Sequence, residues 1–423
     1  MVKEWFSALH DSLWRKNLMR SGMVTGLIVV VVLIGLTAAY RAHMLGNFHR
    51  LKAKISTEQQ DAPVPRPGGL EAIVLTRTRT MKDATPEFLS VTMLPGRGMN
   101  VLQITAYVPG KGEVSLLASP TVEGAAKAMT GHDEDANGQT SLGMGGAFEA
   151  PWAGSIWGMP AQEGGSASLT WRGQAIKLPT TGGVASGGLM LAQAADTSGS
   201  EALPDGGSAQ AVFHSADYGG RWPSQTDVTV TVLLNSRSVD LTVEAVNTGD
   251  SAEPIGIGWH PRFAIADGHR EQVRLSLPAE MRAEVDDREQ GRPTGTLHGM
   301  AGTPFDFTMR GGATLGAKNL NDCFAGLHQN LLEVGPTAEL SDPADGYGVR
   351  VTAVSPTIRA MCVTAPESAN FVSIDPQFNY PDPLGPEWTK ESDTGMVVLG
   401  PGQSTRWKVR LELFPVASGA SPR

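Results

Sequence analysis

Two segments of this chain end an apolar run on a side chain that can carry a proton. Ile255-Gly-Ile-Gly-Trp-His260-Pro-Arg-Phe263 places an imidazole just before Pro261, which should end regular strand pairing. Phe371-Val-Ser-Ile-Asp375-Pro-Gln377-Phe378 delivers a carboxylate ahead of Pro376 in the same way. An imidazole, with an unperturbed pKa of about 6.5, gives and takes protons near neutrality, and a carboxylate accepts them. Together they have the chemistry of general acid–base catalysis. A single strand histidine is more often structural than catalytic, so these residues need further support.

Other chemistries find less. Asp133-x-Asp135-x-Asn137-Gly138 copies the first half of a calcium loop, but the twelfth position, where a bidentate Glu should close the shell, is Met144. The glycines of Gly143-Met-Gly-Gly146 lack the lysine and the strand-then-helix setting of a phosphate loop. No Cys/His spacing suggests zinc, and no Gly-x-Ser-x-Gly suggests a serine hydrolase. The reading needs no metal and no cofactor. Of the 34 Lys/Arg and 43 Asp/Glu, residues 1–54 hold eight basic side chains against Glu4 and Asp11, so the remainder is strongly acidic. A nucleic-acid partner is not expected.

The elements that must position these groups read as strands. Val228, Val230, Val232 and Leu234 alternate with polar residues, Asn235-Ser-Arg-Ser238 breaks the run, and Val239, Leu241, Val243 and Ala245 resume it. That is a β-hairpin. Similar runs recur at Phe88–Met93, Val101–Val108, Gly348–Val354, Arg359–Thr364 and Thr405–Phe414, with no repeat of fixed period. Many short strands over residues 70–416 predict an all-β fold, a large antiparallel β-sandwich. Cys323 and Cys362 allow one disulfide or two lone buried thiols, and the sequence alone does not assign the bond.

Ahead of the sandwich, residues 21–41 contain a 20-residue uncharged stretch, Ser21 to Tyr40, long enough to span a bilayer as a helix. A cleaved signal peptide would have a shorter apolar region and a shorter leader than residues 1–20, so an uncleaved anchor is expected. Basic residues flank it on both sides, but a short leader favours export of the downstream domain. Residues 42–69 form a juxtamembrane segment and proline-rich linker, and residues 417–423 a tail. These features place the main domain outside the inner membrane, in a periplasm-like space, with a membrane-bound protein as a possible partner.

The ordered motifs resemble the aldose 1-epimerase (galactose mutarotase-like) family. Gly258-Trp-His260-Pro-Arg-Phe263 is similar to the family's Gly-x-His-Pro-Tyr-Phe, Gly302-Thr-Pro-Phe-Asp-Phe307 to its Gly-Thr-Pro-Phe-Asp segment, and Ile374-Asp375-Pro-Gln377 to its Glu-bearing strand. Leu320-Asn-Asp322-Cys-Phe324 stands where the family has an Asp. The resemblance implies a galactose mutarotase-like supersandwich that binds a sugar and interconverts its anomers by ring opening. It implies His260 as acid, Asp375 as base and Asp322 as a substrate ligand. Beside these motifs Gln377 is a further candidate contact; the flat rings of Trp259 and Trp388 could cover the apolar face of a sugar or simply pack in the core, and Arg262 could donate to the substrate or lie solvated on the surface. Three departures stand beside it: Asp375 replaces a Glu, Pro151-Trp-Ala-Gly-Ser-Ile-Trp157 lacks the family's Arg, and Ser186 replaces a second His. They leave open a noncatalytic carbohydrate-binding subunit of a periplasmic sugar-oxidising or polysaccharide system.

Overall fold

The alternation at residues 226–247 folds as read. Thr226–Leu234 and Ser238–Asn247 pair antiparallel, with Val230 opposite Val243 and Asn235 N–H donating to the Ser238 carbonyl across the turn at 2.9 Å. The alternating Val, Leu and Ala members of both strands are buried, and each fully buried Val or Leu contributes about 1.5–3 kcal/mol. The other predicted runs are strands as well, at Glu87–Leu94, Asn100–Val108, Tyr347–Ala353, Ala360–Ala365 and Ser404–Pro415.

The computed structural model describes residues 30–45, 64–80, 85–160, 166–286, 291–309, 311–388 and 393–417. It divides into the units Met1–Val64 and Pro65–Arg423. In the first, residues 30–45 are helical, and Val30, Val31, Val32, Leu33 and Ile34 are all more than half exposed. Among the described residues no helix is long and apolar enough to cross a membrane. The basic leader, residues 21–29 of the expected span, most of the linker and the end of the tail lie outside the described residues.

In the second unit the described strands build a twelve-stranded and a nine-stranded sheet with one core between them. The core takes Phe88, Phe148, Trp259 and Ile374 from the first sheet and Val230, Val243 and Trp407 from the second. Trp407 bridges the layers. Its ring meets Phe148 edge-on at 6.2 Å, and its Nε1–H donates to the Pro376 carbonyl at 3.0 Å, one residue past Asp375. The half calcium loop is a short 3₁₀ turn, Asp133–Asp135, whose Asp135 is buried against Arg97 at 2.8 Å.

Cys323 and Cys362 form a disulfide between directly opposed residues of neighbouring strands. The bond left open by the sequence is settled by strand register, which sequence spacing does not contain. Such a cross-link constrains the unfolded chain, typically contributing about 2–4 kcal/mol.

Candidate active site

Six strands lie side by side in the larger sheet in the order Gly146–Glu149, Gly258–Pro261, Phe371–Gln377, Ala360–Ala365, Leu320–Leu327, Ala279–Asp286. Side chains alternate between the two faces of a strand. On the third of these strands Val372 and Ile374 enter the core, so Ser373, Asp375 and Gln377 share the opposite face. On the second Trp259 enters the core, so His260 takes the outer face. On the first Phe148 is core, so Ala147 and Glu149 face outward, opposite His260 and Gly258.

This parity joins His260 to Asp375 across 115 positions of sequence, with Nδ1 to Oδ2 at 2.8 Å. Ser373 Oγ donates to Asp375 Oδ1 and lies 3.3 Å from His260 Nδ1. Both carboxyl oxygens of Asp375 are therefore engaged, and with Nδ1 facing Oδ2, Nε2 is left for a ligand. Burial works against the imidazolium. The charge and hydrogen bond of Asp375, helped by Glu149, outweigh it, and the His260 pKa is raised.

His260 and Asp375 line a cavity of about 380 Å³. Its walls include Trp157, Ser155 and Ser186 on one side and Asn321, Thr364 and the Cys323–Cys362 disulfide on the other. Asn379 holds the first wall by pairing its side chain with both the N–H and the carbonyl of Ala153, at 3.1 and 2.9 Å. Among the described residues no lysine or arginine lines the cavity.

Glu149 also lines the cavity, and the sequence reading missed it. It is 3% exposed, and its hydrogen bond comes from Gly154 N–H to Oε2 at 3.3 Å. Burial first, then the neighbouring Asp375, push its pKa up, against the pull of His260, to about 8. The strand opposite leaves it room because residue 258 has no side chain. A Cβ there would sit 2.6 Å from Ala153 Cβ and 3.1 Å from Glu149 Oε2. The signal available in sequence was a single acidic residue inside the otherwise uncharged Gly145-Gly-Ala-Phe-Glu149-Ala-Pro-Trp-Ala-Gly154.

The other expected contacts separate. Gln377 lines the cavity, its Nε2–H tied to the Asn379 carbonyl at 2.6 Å. Asp322 borders it, but Arg282 holds Oδ1 at 2.5 Å and Asn321 N–H reaches Oδ2 at 3.2 Å. Three residues are corrected. Trp259 is fully buried in the core, as strand alternation requires of a neighbour of His260, and donates to the Gly146 carbonyl at 3.0 Å. Trp388 is buried beside Tyr380 and donates to the Pro381 carbonyl at 2.9 Å, so it braces the wall instead of forming it. Arg262 stacks on Phe371, 3.7 Å from the ring centre, and is not among the lining residues. Among the described residues the aromatic ring that does line the cavity is Trp157.

The two large sheets thus hold a paired histidine and carboxylate on the wall of one cavity. Residues 131–412 match the family model for aldose 1-epimerase, and the chain belongs to that family. Solved structures with the same fold include a galactose mutarotase-like protein from Clostridium acetobutylicum, at 14% identity and TM-score 0.64, covering 81% of this chain and 99% of that one. A GalM/aldose epimerase homologue from C. elegans shares 16% identity with TM-score 0.61, covering 82% and 99%. A putative aldose 1-epimerase from Escherichia coli K12 shares 15% with TM-score 0.58, covering 82% and 100%. No curated protein matches the chain significantly.

Proposed function

We propose that this protein interconverts the α and β anomers of an aldose, or of a saccharide reducing end, in this cavity. One observation carries the reading: an imidazole held by a carboxylate at 2.8 Å, opening on a space of sugar size lined by Trp157, hydroxyls and amides. Anomer exchange needs a base for the C1 hydroxyl proton and an acid for the ring oxygen. The ring opens, C1 turns, and closure from the other face delivers the second anomer. His260, whose protonated form is favoured by its contact with Asp375, is the acid.

A second reading has its own observation. Ser155, in the segment that lacks the family's Arg, and Ser186, in place of its second His, line one wall, and their hydroxyls bond each other at 3.0 Å. That favours a carbohydrate-binding accessory whose chemistry has lapsed. Polarimetry of fresh α-glucose and α-galactose with the full chain separates the two. Acceleration to equilibrium rotation is expected; sugar-dependent tryptophan fluorescence without acceleration would leave only the binding role.

We further propose that the protein is anchored to a membrane with Pro65–Arg423 outside the cytoplasm. The exposed apolar helix at 30–45 and the disulfide, a bond favoured in oxidising compartments, support this. The chain is expected to stay in the membrane pellet after alkaline carbonate washing and to be cleaved by protease added to spheroplasts. Release into the wash, or protection from the protease, would overturn the placement.

A further inference from the structure

We propose that Glu149 is the base that takes the anomeric hydroxyl proton, and that Asp375 instead orients His260. This rests on the mutarotation reading above. The argument is one of free valences. Asp375 faces His260 Nδ1 with one oxygen and accepts from Ser373 with the other, so it is already engaged. Asp322 is bound by Arg282 and Asn321 N–H. Among the described residues Glu149 is the remaining carboxyl on the cavity wall. Among the described residues only Gly154 N–H bonds it, and that bond uses Oε2.

Register places it well. Glu149 pairs with Gly258, two residues before His260 on the adjoining strand, and residues two apart share a face. A sugar between them would meet one group from each strand. The charged and titratable groups facing Glu149 are His260 and Asp375; Asp322 with its Arg282 stands on the other wall.

The step balances without a co-reactant. Glu149 carboxylate accepts the proton of O1–H, the freed electron pair forms C1=O1, and the C1–O5 bond breaks. The O5 pair takes the proton from His260 Nε2. After rotation about C1–C2, His260 removes the O5 proton as O5 attacks C1, and Glu149 returns its proton to O1. The competent form carries a proton on His260 and none on Glu149. A buried carboxyl that ionises late is a stronger base than an ordinary one, and the imidazolium beside it favours its ionisation.

The test is Glu149→Gln in the full chain, with kcat and KM measured on fresh α-glucose or α-galactose between pH 5 and 9. Loss of about 10²–10⁴ in kcat with KM little changed is expected, together with loss of the limb that rises toward pH 8 in the parent. Glu149→Ala should regain activity with added formate, a rescue that a packing role would not give. Circular dichroism and sugar-induced fluorescence check that each variant is folded and binds. Unchanged kcat and an unchanged pH limb in Glu149→Gln would overturn the assignment while leaving mutarotation intact. A parent chain that binds sugar without accelerating it would overturn both.

Discussion

His260→Ala loses about 10²–10⁴ of the mutarotation rate while still binding sugar, because the substitution removes the proton donor but leaves the cavity walls in place. The split between kcat and KM is the informative readout. The walls that hold the ring are Trp157, Ser155, Asn321 and Thr364, none of which hydrogen-bonds to His260. The imidazole is therefore used in the transition state more than in the ground state. Asp375→Asn should lose less than His260→Ala, since Ser373 remains within 3.3 Å of Nδ1 and the ring stays near its place without its charge partner. A His260→Ala protein that turns over at the parent rate would end the acid assignment. One that no longer binds sugar would show that the ring contributes mainly to the ground state.

How far the sequence reached depends on the physical property each signal measures. Period-two alternation reports burial within one strand, and it placed the hairpin at residues 226–247 because both of its strands have one wet face and one dry face. The same alternation should have excluded Trp259. A residue adjacent to an outward-facing His260 on a strand must point inward, and it does. Trp388 was misplaced for another reason. It sits in a three-residue 3₁₀ turn, Pro386–Trp388, where no periodicity applies and only tertiary packing against Tyr380 decides its direction.

Cross-strand facts were beyond reach altogether. That Cys323 meets Cys362, that Cys362 is in turn opposite Asp375, and that Glu149 is opposite Gly258 are statements of register between strands far apart in sequence. The motif around His260 and the one around Asp375 were legible because each ends in proline and each carries a family pattern. Glu149 has neither mark. Its importance comes from being buried beside two charged neighbours, a property of the assembled sheet.

That burial makes a second large effect, on stability. Glu149 ionises near pH 4.5 when exposed and near 8 when folded, chiefly because burial disfavours its charge. The folded state therefore holds the proton more tightly than the unfolded state. Stability from this group is complete below about pH 4.5 and is lost progressively as pH rises through 8. At about 1.4 kcal/mol per pH unit, the loss across that window is on the order of 4–5 kcal/mol. His260, also raised, acts in the same sense above its ordinary value, as do Glu253 and Glu387, whose burial carries each to about 7. The diagnostic quantity is thus a difference between two proteins. Glu149→Gln keeps the volume and removes the titration, so in urea unfolding its stability relative to the parent should climb steadily from pH 5 to pH 8. The slope matters more than the offset, because packing differences between the two side chains do not change with pH. A gap that stays flat across that range would mean Glu149 is ionised throughout, and would remove the physical basis for its late ionisation.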